Sequence, residues 1–143
     1  MKVFIDETAW VQITDPDAVH HGLFERRFAE ILNSGDKIFT HNVALGLAMA
    51  EIRERMGTGP ANKFNEAIEE AYTGAHLTIL WIGRRGQKEA GRKMRNNPAI
   101  PLTIFDFAAY NLMQRRRVHR VMSTKRAFRQ LGLEVLPELP DEV

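Results

Sequence analysis

The chain alternates short apolar runs with longer segments in which apolar residues recur every three or four positions. The first run, from Met1 to Asp6, is mostly apolar and ends in a carboxylate. Buried parallel strands have this composition, and their C-terminal ends hold ligands in open α/β sheets. Similar short runs predict further strands at 37–40, 77–82, 117–123 and 133–137.

The segments between these runs have the periodicity of helices. In 17–33, the apolar residues that fall on one stripe are Val19, Leu23, Phe24, Phe28, Ile31 and Leu32. The same spacing predicts helices at 8–14, 42–56, 60–72, 87–95, 106–117 and 125–131. Because strands and helices alternate, we predict an α/β fold with three layers, α/β/α, around a central, mostly parallel sheet of about five strands.

The length of 143 residues fits one domain, which we place at 1–137, followed by a loose acidic tail at 138–143. The absence of cysteine excludes disulfides, thiolate metal sites and cysteine nucleophiles. No apolar run approaches the ~20 residues that span a bilayer. Asp6 and Glu7 interrupt the pattern of a signal peptide. We therefore expect a cytoplasmic protein that has no membrane partner.

Charge is distributed unevenly along the chain. The net charge is only +2, yet the segment from Arg84 to Arg129 contains 13 Lys or Arg and only two acids. A cationic block on a folded domain attracts polyanions such as nucleic acid. Solvated helix faces that pair with acids elsewhere would give the same pattern, so charge alone leaves both interpretations open.

Two distant acids suggest a site at one edge of the predicted sheet. Asp6 closes the first strand, and Asp106 opens a later helix. The C-terminal ends of parallel strands lie at the same edge, so the two carboxylates would meet there and suit a hard divalent cation. His41 follows the second strand at this edge, and we interpret it as a loop residue.

Four stretches together resemble the PIN domains, and most closely the toxin-like (VapC-type) ribonucleases of bacterial and archaeal toxin–antitoxin pairs. They are Val3 to Asp6, the helix from Asn42 that ends at Gly57, Pro101 to Asp106, and Met122 to Pro137. The resemblance implies hydrolysis of RNA at a site where four acids usually hold Mg²⁺ or Mn²⁺. It also implies a homodimer and a small antitoxin protein as a partner.

Two of the four family acids, the first and the third, have matching acids in this chain, and the second family position does not. Asp6 matches the first acid and Asp106 the third, so both are the implied metal ligands and catalytic residues. The second position falls on Leu47, and the nearest acid is Glu51, one helical turn later. Glu51 either leans back toward the site and substitutes as a catalytic acid, or forms an ordinary pair with Arg55.

The fourth family position falls on Lys125, within the stretch from Ser123 to Phe128. An ammonium group beside a metal ion is repelled, but beside Asp6 and Asp106 alone it would take over the neutralising role of the ion. The resemblance therefore implies a PIN fold whose metal site has been partly dismantled, with Lys125 and Leu47 as the changed positions.

The basic block supplies the candidate contacts to RNA. They are Arg84, Arg85, Arg92, Lys93, Arg95, Arg115, Arg116, Arg117 and Arg126. We expect Trp10 and Trp81 in the core or in an interface.

Three functional hypotheses stay open at this point. The first is a ribonuclease that depends on Mg²⁺ or Mn²⁺. The second is a catalytically silent PIN domain that binds RNA or a protein partner, with Lys125 in the place of the metal. The third is a module that binds an acidic antitoxin peptide through its basic block.

Overall fold

The computed structural model describes residues 1–140 and confirms the predicted three-layer α/β/α fold. The strands are β1 Lys2–Ile5, β2 Lys37–His41, β3 Leu77–Leu80, β4 Arg120–Met122 and β5 Glu134–Leu136. The helices are α1 Glu7–Thr14, α2 His21–Asn33, α3 Asn42–Met56, α4 Thr58–Thr73, α5 Arg84–Arg95 and α6 Ile104–Arg116, with a 3₁₀ helix at Arg126–Leu131. Within these residues, no helix has the length and apolar character needed to cross a membrane.

All strand pairs in the sheet are parallel, in the order β3-β2-β1-β4-β5. Because β1 lies in the centre, its C-terminal end is flanked by the ends of β2 and β4. The register pairs Ile5 with Met122, so the residues that follow them, Asp6 and Ser123, lie side by side. The register of the sheet thus places the side chains of Asp6 and Ser123 in contact.

The pleat of the strands divides the core between the two faces of the sheet. Val3 and Ile5 point to the layer of α1, α2, α3 and α4, which also buries Trp10 and Phe64. Phe4 points to the other layer, where α5, α6 and the 3₁₀ helix pack. Both layers are apolar, so the helices pack against the two faces of the sheet.

The structure differs from the sequence predictions mainly at element boundaries. Helix α5 begins at Arg84, three residues before the predicted start, and α2 begins at His21, after the turn at 15–20. Strand β3 ends at Leu80, and Trp81 is 74% exposed, so of the two expected positions for Trp81, the core is excluded and an interface stays a prediction. Leu139 packs in the core, so ordered packing extends past 137, whereas the end of the predicted tail, 141–143, lies outside the described residues.

Candidate functional site

Asp6 connects β1 to α1 at the centre of the sheet edge. It is the N-cap of α1, and its Oδ1 accepts hydrogen bonds from the Ala9 amide at 3.0 Å and the Thr8 hydroxyl at 2.6 Å. Its Oδ2 accepts one from the Ser123 hydroxyl. The residue is only 1% exposed, so its carboxyl group is hydrogen-bonded to protein donors and shielded from solvent.

Burial changes the protonation of Asp6. The loss of solvation and the nearby charge of Glu7 raise the pKa of Asp6 to about 7, and the hydrogen bonds from Ser123, Thr8 and Ala9 oppose this shift only in part. At neutral pH the carboxyl group is therefore not a permanent anion.

Asp106 is held by the first turn of α6. Thr103 is the N-cap, its hydroxyl accepts from the Asp106 amide at 3.2 Å, and the Thr103 amide donates to Asp106 Oδ2 at 2.8 Å. This reciprocal capping box fixes the rotamer of the acid. Asp106 is 2% exposed and faces the end of β1.

Glu7 is the third acid of the site, and sequence reasoning missed it. Among the described residues, Asp6, Glu7 and Asp106 each offer a carboxylate oxygen, and these atoms lie within 4.8 Å of one another. We call these three residues the acidic cluster. The only signal in the sequence was the position of Glu7, directly after Asp6 in the first turn of α1.

Lys125 places its ammonium group inside the acidic cluster. Nζ lies 2.9 and 2.8 Å from the two carboxylate oxygens of Asp106 and 3.0 Å from Glu7 Oε1. Its backbone is fixed as well, because the Lys125 amide donates to the Ser123 hydroxyl at 2.9 Å. Asp6, Asp106 and Lys125, which the sequence analysis assigned to one site, thus lie together.

The charge of Lys125 is stabilised by this environment. Burial by itself would lower the pKa of Lys125, but the hydrogen bonds to Asp106 and the charge of Glu7 outweigh it and raise the pKa above its ordinary value. The group is an ammonium ion at any physiological pH. It neutralises carboxylates that would otherwise repel each other.

The donor set fits a divalent cation only if Lys125 is absent from it. Three carboxylates are typical ligands of Mg²⁺ or Mn²⁺. However, an ammonium already donates to both oxygens of Asp106 and to Glu7, and it would lie next to any ion bound there. Like charges at such distances repel strongly in a shielded site. The arrangement of the residues therefore does not fit a metal ion.

His41 lies beside the cluster and has a structural role. It ends β2, and its Nδ1 accepts from the Ala44 amide at 2.8 Å, so that His41 is the N-cap of α3. The other ring nitrogen, Nε2, then carries the proton and donates to the Phe105 carbonyl at 3.2 Å. Burial lowers the pKa of His41 to about 4, so the imidazole is neutral at pH 7.

Glu51 does not belong to the acidic cluster and pairs with Arg55. The side chain of Glu51 is 45% exposed and its carboxylate lies 3.1 Å from the Arg55 guanidinium, which also pairs with Asp15. Of the two interpretations of Glu51, the structure therefore shows the pair with Arg55. At the other predicted position, Leu47 is 41% exposed.

The predicted RNA-binding residues fall into three places. Arg84, Arg85 and Arg115 line a cavity of about 550 Å³ between the end of β3, the start of α5 and α6, next to the exposed Trp81. Arg92 and Lys93 line a hollow of about 360 Å³ that shares Arg115 with the cavity. We call the two together the basic groove.

The remaining basic residues are placed elsewhere. Arg116 and Arg117 are at the C-terminal end of α6, where Arg116 borders a hollow with Lys37, at the opposite edge of the sheet from Asp6. Arg126 donates to the carbonyls of Pro137 and Ser123, so its guanidinium braces the loop that carries Lys125. Arg95 is exposed in the last turn of α5.

The fold of the chain, but not its sequence, is similar to that of a known protein. No protein-family model and no curated protein matches the sequence. Among solved structures, the chain is similar to VapC20 of Mycobacterium tuberculosis, described as a toxin that cleaves the sarcin-ricin loop, with a TM-score of 0.78 and 15% identity. The match covers 92% of this chain and 95% of that one. At this identity the likeness concerns the fold alone, and it shows that this chain shares the fold of VapC20.

Proposed function

We propose that the protein binds RNA as a toxin-type PIN protein in which Lys125 takes the place of a catalytic metal ion. The observation that carries this proposal is the position of the Lys125 ammonium, within 3.0 Å of three carboxylate oxygens on Asp106 and Glu7. A cation at this position satisfies the acids, so the cluster needs no Mg²⁺ or Mn²⁺ to be stable. Without that ion, the usual activation of water for phosphodiester hydrolysis is absent.

Two observations support RNA as the ligand. VapC20, which shares the fold, is described as cleaving the sarcin-ricin loop. The exposed arginines of the basic groove provide the positive surface that a phosphate backbone requires. A small antitoxin-like protein partner and a homodimer are expected from the resemblance and stay predictions.

The acidic cluster by itself favours a second candidate, a ribonuclease that depends on Mg²⁺ or Mn²⁺. Its three buried carboxylates are close enough to share one ion. This candidate requires Lys125 to leave the cluster and break its contacts with Glu7 and Asp106. We rank it second because the loop of Lys125 is itself tied to Ser123 and Thr8.

The two candidates are separated by one pair of assays. Binding of a labelled single-stranded RNA is measured by fluorescence anisotropy in the presence of EDTA, over a range of salt concentrations. We expect binding without divalent ions that weakens as salt rises, because phosphate contacts release counterions. The same RNA is then incubated with the protein and Mn²⁺ and analysed on a gel, and we expect it to stay intact.

Cleavage that requires Mn²⁺ and is lost in Asp6→Asn would favour the ribonuclease. The absence of RNA binding under any condition would contradict both candidates. Asp6→Asn is the matched control, because it keeps the shape of the side chain and removes a carboxyl group that both candidates place in the cluster.

A further inference from the structure

The cavity part of the basic groove lies on a face of α6 that does not carry Asp106. Ala108, Asn111 and Arg115 recur at intervals of three and four residues and line the cavity together. Asp106 precedes Ala108 by two residues and therefore points to another side of the helix. The cavity is a separate feature from the acidic cluster.

The cavity is nevertheless connected to the acidic cluster by direct contacts. His41 donates to the Phe105 carbonyl, and Phe105 precedes Asp106. Asn42, which follows His41 in the chain, accepts a hydrogen bond from the Ile82 amide at 2.6 Å. Ile82 lines the cavity beside Trp81. A strand of nucleic acid at the cavity would therefore lie along the same edge of the sheet as the cluster.

Trp81 is exposed at the rim of the cavity. It follows the edge strand β3, and 74% of its surface is accessible, in contrast to Trp10, which is 5% exposed and packs between Phe28 and Phe64. An exposed indole on a rigid strand end offers a flat surface on which an unpaired base can stack.

The charge around Trp81 is in excess of its partners. Arg84, Arg85 and Arg115 line the cavity with a single acid, Glu89. Glu89 pairs with Arg115 and, at 3.6 Å, with Arg85, whose side chain is 95% exposed. One carboxylate therefore serves two guanidinium groups, while Arg84 adds a third positive charge. Such a wall is suited to a phosphate group.

The positive surface extends beyond the cavity. The adjoining hollow shares Glu89, Asn111 and Arg115 with it and adds Arg92 and Lys93 along α5 and α6. The groove therefore has room for more than one nucleotide. A flexible single strand can follow it, with a base at Trp81 and phosphates along the arginines.

We propose that this cavity is a nucleotide subsite, in which one unpaired base of single-stranded RNA stacks on Trp81 and the adjacent phosphate is bound by Arg84 and Arg115. The inference rests on the proposed function and adds the place and the chemical class of the contact. The carboxylates of an acidic peptide would pair with the arginines but would not stack on the indole, whereas every base has a face that stacks on it. The indole is the observation that favours RNA over a peptide.

The test uses the full-length protein, a labelled oligouridylate and four variants. We expect Trp81→Ala to weaken binding roughly tenfold, because one base–aromatic stack is lost. Trp81→Phe retains an aromatic face and should retain most of the affinity. Because Trp81 is exposed, both variants should fold, and thermal unfolding checks this directly.

The arginine contact is tested by a matched pair of charge deletions. Arg84→Ala should weaken binding and lower the slope of log affinity against log salt by about 0.7, which corresponds to one lost phosphate contact on a single strand. Arg53→Ala also removes one exposed arginine, but from the last turn of α3, and should leave the slope unchanged. Both variants have the same net charge, so only a local contact can separate them.

Tryptophan fluorescence provides a second readout. Oligouridylate should quench the emission of the wild type but have little effect on Trp81→Phe, whereas inorganic polyphosphate should quench neither. Full RNA affinity in Trp81→Ala, together with equal behaviour of Arg84→Ala and Arg53→Ala, would overturn this inference and leave RNA binding elsewhere intact. Polyglutamate binding that competes with RNA and ignores Trp81→Ala would overturn it in favour of a peptide. Failure of the wild type to bind RNA would remove the proposed function as well.

Discussion

Cationic side chains occur in two very different settings at the same edge of the sheet. In the acidic cluster, Lys125 is largely buried and contacts Asp106 and Glu7 through its single ammonium group. In the basic groove, Arg84, Arg85 and Arg115 are exposed, and the cavity that they line contains one acid, Glu89, which pairs with Arg85 and Arg115. The charge of Lys125 is thus balanced by two acids, whereas the cavity keeps an excess of positive charge for a ligand.

This difference bears directly on the proposed function. In the acidic cluster, the charge of Lys125 would repel a divalent ion that the carboxylates attract. The arginines of the basic groove lie apart from that ammonium group, so they would still attract a polyanion.

Lys125→Met tests the buried cation most directly, because methionine is an unbranched side chain only one atom shorter than lysine and carries no charge. We expect a loss of about 3 kcal/mol in the free energy of unfolding, because the acids are left buried without a counter-charge. Millimolar Mn²⁺ should restore part of this loss, since an ion that binds only the folded state stabilises it. The measurement is urea unfolding with and without Mn²⁺.

The control for that experiment is Lys63→Met, which removes an exposed lysine of α4. It should change the stability by less than about 0.5 kcal/mol, with no response to Mn²⁺. A Lys125→Met protein as stable as the wild type, or one that Mn²⁺ does not affect, would show that the ammonium does not hold the cluster together.

The pH dependence of the free energy of unfolding tests the protonation state of His41, which lies between the acidic cluster and the basic groove. Its pKa is about 4 in the folded protein and near 6.5 in an unfolded chain. Below pH 6.5 the unfolded chain therefore binds a proton that the folded form excludes, and stability is lost as pH falls toward 4. Above pH 6.5 both forms are neutral and the contribution vanishes.

The matched variant for this prediction is His41→Gln, which lacks the titration. Relative to that variant, the wild type should lose roughly 3 kcal/mol of stability between pH 6.5 and pH 4, measured by urea unfolding in a pH series. Taking the difference between the two proteins cancels the opposite contribution of Asp6, whose pKa is raised. Parallel pH profiles would contradict the buried, neutral state of His41.

Thr103→Ala tests the device that orients Asp106. The substitution removes the hydroxyl that caps α6, and we expect a loss of about 1 kcal/mol in thermal or urea unfolding. Thr103→Ser keeps a hydroxyl and should lose much less. If the two variants were equally unstable, the methyl group rather than the cap would be the important part of Thr103.

Glu51→Gln should have the smallest effect. Arg55, the partner of Glu51, would still form its ion pair with Asp15, and the pair with Glu51 is exposed. The free energy of unfolding should therefore fall by less than about 0.5 kcal/mol. RNA binding by anisotropy should not change. A large loss of RNA binding in this variant would return Glu51 to the functional site and contradict its assignment to a surface pair.

The fold could be predicted from the sequence because its strands are short apolar runs and its helices have apolar residues along one face. Val3 and Phe4 in a central strand, or Phe24 and Ile31 on one face of α2, can be buried in few other ways. For Trp81 the same pattern left both the core and an interface as predictions, and only the core is excluded. A large apolar residue at the end of a strand resembles core, and only the end of β3 at Leu80 shows that it lies outside.

The residues of the acidic cluster could be predicted from the sequence only in part. The sequence placed Asp6 and Asp106 at one sheet edge because strand ends gather there. Glu7 was missed because its neighbour already filled the family position, and adjacent residues on a helix usually point apart. The first turn of α1 instead brings Glu7 toward Lys125, which spans the gap to Asp106 with its long side chain. Such a reach depends on three-dimensional geometry and not on spacing.

The most direct test of the central claim is titration calorimetry of Mn²⁺ into the wild type and into Lys125→Asp. If Lys125 takes the place of the ion, the wild type should show no binding, whereas Lys125→Asp should bind Mn²⁺ and lose that binding when Asp6→Asn is added. Binding of Mn²⁺ by the wild type that disappears in Asp6→Asn would contradict the claim and establish the cluster as an open metal site.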